Sequence, residues 1–270
     1  MQETLFIRFH EIILVIYLIS ILCYFIDFVR KSYKIRELGI YTLGIVWILQ
    51  TISLSIYMTS HSQIPLNSLF DVFFSLSWII ISISLILNVV KALSFSVFFL
   101  NVIGFILLMM NTFQPEHYST NGQRVTIINE LLLIHIGLAV LSYAFFALAF
   151  VNALLYIIQY RNLREKKFDQ KYFRIGSVAT LETIVFYSSL SGLIILIFSI
   201  ILGAQWGFYA VGESIFTDPK VILSTIITIL YSMFVIVRLN QWLKSIHLIY
   251  FNIVLFCLCM INLFFTAHFT

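Results

Sequence analysis

His135 and His268 are the residues of this 270-residue chain whose type and setting could do chemistry. His135 lies just inside an apolar stretch, ELLLIHIGLAVLSYAFF, and His268 closes another, INLFFTAHFT. Between them runs the segment 203–220, GAQWGFYAVGESIFTDPK, in which Trp206, Phe208, Tyr209 and Phe216 supply flat apolar surface. Two neutral imidazoles facing each other beside such a surface would make a bis-histidine site for haem iron. The same pattern also reads as two histidines that each hydrogen-bond a neighbouring helix, the commoner use of a polar group between membrane helices. Zinc or copper fits less well, because no His/Cys/Asp cluster has ligand spacing. No phosphate-cradling G-x-x-x-x-G-K and no dinucleotide fingerprint occurs, and an enzyme is not indicated.

The elements that must position these residues follow from composition. The chain is 61% hydrophobic and 10% charged, with a mean hydropathy of +1.02. A hydrocarbon core of about 30 Å takes roughly 20 apolar residues per helix, and windows of that length recur. The expected fold is all-α: a polytopic membrane bundle of eight spans near 5–29, 38–59, 69–90, 93–112, 128–160, 181–204, 220–238 and 247–266, forming one domain over 1–270. Glycines and the Pro219 ring argue against continuous helix over 203–220, and Asp218-Pro219-Lys220 reads as the stop and restart of a helix. Asn67 or Ser68 would cap the third span and Asn129 the fifth. Cys23, Cys257 and Cys259 form no C-x-x-C pair and read as buried small hydrophobes.

Orientation comes from Lys and Arg. Thirteen of them fall in one set of connections, from Arg30 through Arg161, Arg164, Lys166, Lys167 and Arg238 to Lys244, against Arg8, Arg124 and Lys220 on the other side. The positive-inside rule then puts the first set in the cytoplasm and both termini outside. This sorting leaves His10, His61, His117, His135 and His268 towards the outer side and only His247 towards the inner. It also accounts for the net charge of +4 without any nucleic-acid partner. Glu11 beside Arg8 reads as a local ion pair. The segment 161–180, with Phe168, Tyr172 and Phe173 at helical spacing among charges, reads as a helix lying at the membrane interface, with a docking surface for a cytosolic partner as the other reading.

Several segments together resemble the cytochrome c assembly proteins, the CcsA/CcmC/ResC haem-handling superfamily, and most closely its HemX branch. That family carries a tryptophan-rich outer loop, GAxWAxxxWGxYWxWDPKE, with which GAQWGFYAVGESIFTDPK aligns at Gly203, Ala204, Trp206, Gly212 and Asp218-Pro219-Lys220. IPLNSLFDVFFSLSW resembles a second family stretch, with Pro65 and Trp78 in register. LLLIHIGLAVLSYAFF places His135 on the family's first external histidine, and INLFFTAHFT places His268 on the second. The later tryptophans of the loop are Val211, Ile215 and Thr217 here, and the intramembrane histidine of a Y-L-H-x-R motif is Ile236, with Arg238 kept.

The resemblance implies a multi-pass protein of a bacterial plasma membrane. It implies haem as cofactor, with His135 and His268 as axial ligands of the iron and Trp206 against the macrocycle. For the HemX branch it implies a non-enzymatic role in controlling haem synthesis through the level of glutamyl-tRNA reductase. That enzyme or an associated protease would then be the cytoplasmic partner. The other function it implies is haem handling for cytochrome c maturation.

Overall fold

The computed structural model describes residues 2–30, 32–61, 69–88, 94–112, 130–167 and 175–265. Among them the chain forms eight α-helices and no strand: α1 (Gln2–Arg30), α2 (Tyr33–His61), α3 (Leu69–Leu87), α4 (Ser94–Thr112), α5 (Glu130–Arg164), α6 (Val178–Val211), α7 (Pro219–Leu239) and α8 (Ser245–Phe265). Helices are the expected answer, because hydrocarbon offers backbone N–H and C=O groups no partner outside the segment itself. Seven of the eight are long and apolar enough to cross a membrane. The eighth, α3, has a shorter apolar part among the described residues, Asp71–Leu87, and residues 89–90 of the expected 69–90 span lie outside them.

The helices form two compact units, residues 1–127 and 128–270. In the first, α1 packs on α2 and α4, and α3 packs on α4 and α2, closing a four-helix ring. One face of α1 supplies Ile13, Leu14, Tyr17 and Tyr24 to a core completed by Leu43, Val46, Phe74, Ile81, Val97 and Leu108. Polar side chains cross-link this interior. The Tyr17 hydroxyl donates to Asn101 Oδ1 (2.9 Å), Ser20 Oγ to the Gly39 carbonyl (2.9 Å), and Asn88 to Tyr24 (2.9 Å). His10, which the sequence leaves as one of several outer histidines, is buried with Nε2 3.2 Å from Ser53 Oγ. Arg8 does pair with Glu11 as expected, at 3.0 Å on the exposed side of α1.

In the second unit, α5 packs on α6 and α8, and α7 packs on α6 and α8. The α5–α6 contact is close because α6 offers glycines to rings of α5. A Cβ on Gly192 would lie 2.6 Å from the Phe146 ring, and Phe146 itself stacks on Tyr231 of α7, centroids 4.0 Å apart and 11° off parallel. Asn252 of α8 donates to Ser189 of α6 (2.7 Å). Asn262 of α8 donates to both Tyr143 of α5 (3.2 Å) and Ser224 of α7 (3.0 Å). Cys23 and Cys259 are buried as expected, whereas Cys257 is exposed on α8.

Both α5 and α7 end in the same way. The Lys167 N–H returns to the Asn162 carbonyl and the Lys166 N–H to Leu163, while Trp242 returns to Val237 and Gln241 to Arg238. These are the paired bonds of a Schellman closure, with Lys166 (φ 55) and Gln241 (φ 54) in the left-handed position that glycine usually fills. Past the end of α5, Lys167 Nζ (2.7 Å) and Arg161 Nε (2.8 Å) grip the Glu165 carboxylate. The Lys167 contact first, then the Arg161 contact, holds its pKa down at about 2. A depressed carboxylate stabilises the fold above its ordinary range and loses that contribution as pH falls through the lowered value. The α5 terminus should therefore keep its closure down to about pH 4.5 and fray progressively between there and about pH 2. Amide exchange at Glu165 to Lys167 across that window checks it; protection that does not change would contradict it.

Candidate functional site

The end of the second unit where α5 begins and α6 finishes gathers most of the residues singled out from sequence. Continuous helix was not expected over 203–220, yet α6 runs through Gly203 and Gly207 to Val211. Those glycines are tolerated because each receives a side chain that any Cβ would displace. At Gly203 a Cβ would meet the His135 ring at 2.5 Å, and at Gly207, one turn on, the Ile215 side chain at 2.5 Å. The break comes at Gly212, whose φ of +77 is open to glycine and caps α6 by donating its N–H to the Phe208 carbonyl. Two turns of 3-10 helix, Gly212–Thr217, then carry Ile215 back over Gly207. Asp218 starts α7 by accepting the Lys220 N–H at 2.7 Å, with Pro219 in the first turn, where a missing N–H costs nothing. The stop-and-restart role of Asp218-Pro219-Lys220 is therefore as the sequence indicated.

His135 is fixed at two points. Its Nδ1 lies 2.6 Å from the Ser199 carbonyl and 3.0 Å from Ser199 Oγ, while the Ser199 hydroxyl donates to the His135 carbonyl at 2.8 Å. A carbonyl oxygen can only accept, so Nδ1 carries the proton and the ring lone pair resides on Nε2. The ring is half-buried between α5 and α6. Ser199 went unnoticed in the sequence because serines within apolar helices usually bond their own preceding turn. The available signal was its position one turn before Gly203, on the face that meets α5.

Trp206 sits half-buried on α6, one turn beyond Gly203, and Phe208 is exposed. Ile215, which stands where the family loop has a tryptophan, covers Gly207 with an aliphatic side chain. His268, Pro65, Asn67, Ser68, His117 and Asn129 lie outside the described residues, as do Phe168, Tyr172 and Phe173. The α8 turn that leads towards His268 is anchored through Asn262 to Tyr143 and Ser224. Trp78 belongs to the first unit, where it stacks on Trp47 (6.1 Å, 19°) and donates to Thr51 at 2.9 Å. Ile236, at the position of the family's intramembrane histidine, points away from its own unit at 50% exposure.

The opposite end of the second unit holds a cluster that sequence reading passed over. Glu182 of α6 accepts from Arg238 Nη2 of α7 (2.7 Å) and from Ser245 Oγ of α8 (2.7 Å). One carboxylate thereby joins three helices.

Comparison with known proteins gives a consistent picture. The family model described as cytochrome c assembly protein matches residues 43–269. Protein HemX of Bacillus subtilis (strain 168) is 33% identical over 264 residues, covering 98% of this chain and 96% of the relative. Protein HemX of Brevibacillus brevis is 31% identical over 255 residues, covering 94% and 93%.

Proposed function

Because the chain belongs to the cytochrome c assembly protein family, we propose that it is a HemX-like, non-enzymatic regulator of haem synthesis in a bacterial plasma membrane. It lowers the level of glutamyl-tRNA reductase in response to haem held at the His135 end of the second unit. The observation that carries the haem half of this reading is the tautomer of His135. With Nδ1 donating to the Ser199 carbonyl, Nε2 keeps the lone pair that an iron ligand needs. His135 would then hold haem iron, with His268 as the second ligand and Trp206 against the macrocycle. When bound, haem would supply an iron that accepts an imidazole nitrogen.

His135 does no proton chemistry in this scheme; its task is to present one nitrogen in one orientation. Gly203 and Ser199 set that orientation, and α5 and α6 connect it to the far ends of the same helices. The Lys and Arg bias puts those far ends in the cytoplasm and the His135 end outside, so occupancy at one face is read at the other through α5 and α6. Reductase abundance tests the proposal. Deleting the protein should raise the cellular level of glutamyl-tRNA reductase, and an unchanged level sinks the reading. A second reading, haem handling for cytochrome c maturation, is favoured by the family description that matches residues 43–269. It predicts loss of c-type cytochromes in the same deletion strain with the reductase unaltered.

A further inference from the structure

The turn between α7 and α8 exposes an apolar, basic tip that no contact among the described residues explains. Leu239 is 67% exposed, Trp242 69% and Leu243 49%, with Lys244 directly after them. In a Schellman closure the residue after the left-handed position ordinarily packs back on the helix it terminates. Trp242 returns its N–H to Val237 at 3.2 Å, yet leaves its indole in the open. The turn is held by backbone hydrogen bonds, with Asn240 N–H to Ile236 (3.0 Å) and Gln241 N–H to Arg238 (3.3 Å), so the exposed side chains are presented from a fixed frame.

Helix length decides what covers them. α7 and α8 are 21 residues each, or about 31 Å at 1.5 Å per residue, against a hydrocarbon core of about 30 Å. Residues 240–244 therefore sit in the headgroup layer, where an indole finds both apolar and wet surroundings. Charge decides which headgroup. Among the described residues, the carboxylates at this end of the unit are Glu165 and Glu182. The first is held by Lys167 and Arg161, the second by Arg238 and Ser245. Among the described residues, that leaves Arg164, Lys166 and Lys244 for an anion. A soluble protein partner would need this tip to stand clear of the bilayer, and 21-residue helices on both sides do not lift it that far.

We propose that the Trp242–Lys244 tip is a docking site for anionic phospholipid, with the indole at the acyl–headgroup boundary and the Lys244 ammonium on the lipid phosphate. One cation near an anionic surface is worth about a fivefold local enrichment. The attraction is Coulombic and falls away once the screening length drops to a few Å at about 1 M salt.

The test uses the full-length protein in phosphatidylcholine vesicles doped at equal mole fraction with either brominated phosphatidylcholine or brominated phosphatidylglycerol. The emission of wild type minus that of Trp242→Phe isolates this tryptophan from the other three of the chain's four. Its quenching should be at least about twofold stronger with the anionic lipid, and should fall to parity in Lys244→Gln or in about 1 M salt. The salt arm keeps the test decisive if the lysine variant fails to fold. Equal quenching by the two lipids in wild type at low salt overturns the proposal, since the tip is then an ordinary interfacial anchor. Absence of quenching by either lipid also overturns it and marks the tip as a protein-facing surface. A preference that survives either Lys244→Gln or about 1 M salt overturns the assigned role of Lys244.

Discussion

Glu182→Ala should destabilise the second unit by about 3 kcal/mol, the low end of the cost of stripping one partner from a buried ion pair. The low end applies because Arg238 and Glu182 keep 33% and 18% of their side-chain surface. The loss is larger than that of an exposed pair, such as Arg8 with Glu11, because the guanidinium is left facing apolar helices without its counter-ion. Arg238 Nε already lacks a partner among the described residues, so removing the carboxylate leaves the group with very little compensation. Ser245 loses its acceptor in the same step. Replacing both charges together, as Glu182→Gln with Arg238→Met, should recover most of the stability, because no uncompensated charge then remains. Thermal unfolding of the detergent-solubilised protein separates the cases. A double variant as unstable as Glu182→Ala would show that the cost lies in packing rather than charge.

That ion pair marks a limit of what the chain discloses before it folds. Hydropathy gives helix number and approximate ends, because about 20 apolar residues are needed whatever the neighbours are. Asp218-Pro219-Lys220 is legible for a similar reason: capping and the proline ring act within a few residues of sequence. Glu182 with Arg238 is different. Its partners are far apart in the chain, and each alone looks like an interfacial charge at a helix end. His10 is the same kind of case, an ordinary terminal histidine until α2 brings Ser53 against it.

The segment 203–220 misleads in the other direction. Glycine lowers helix propensity by about 1 kcal/mol relative to alanine, so Gly203 and Gly207 argue for a loop. Tertiary packing overrides that, since the space above each glycine is filled by His135 and by Ile215. Only Gly212, with its positive φ, behaves as composition suggests. The glycines of this segment therefore have two uses, close approach within α6 and chain reversal after it. Spacing along the sequence does not distinguish them.

On the haem site proposed above, Gly203→Ala should abolish or sharply weaken haem binding while leaving the histidine in place. A methyl group there would stand 2.5 Å from Cε1 and 2.6 Å from Nδ1 of His135, so the ring must turn away and its bond to the Ser199 carbonyl must break. Overpacking of this kind costs about 1–3 kcal/mol of stability, and loss of the residue that orients a ligand typically costs about 10–100-fold in affinity. His135→Ala removes the nitrogen itself and should eliminate the haem absorption spectrum of the detergent-purified protein. Ser199→Ala offers the contrast. It deletes the hydroxyl but keeps the carbonyl at 2.6 Å, which alone fixes the proton on Nδ1, so haem affinity should change by less than about tenfold. Haem titration of the three variants orders them as His135→Ala below Gly203→Ala below Ser199→Ala. An unchanged titration in His135→Ala removes His135 as a ligand. A Gly203→Ala protein that binds haem like wild type shows that the ring orientation set by α6 is not what the iron requires.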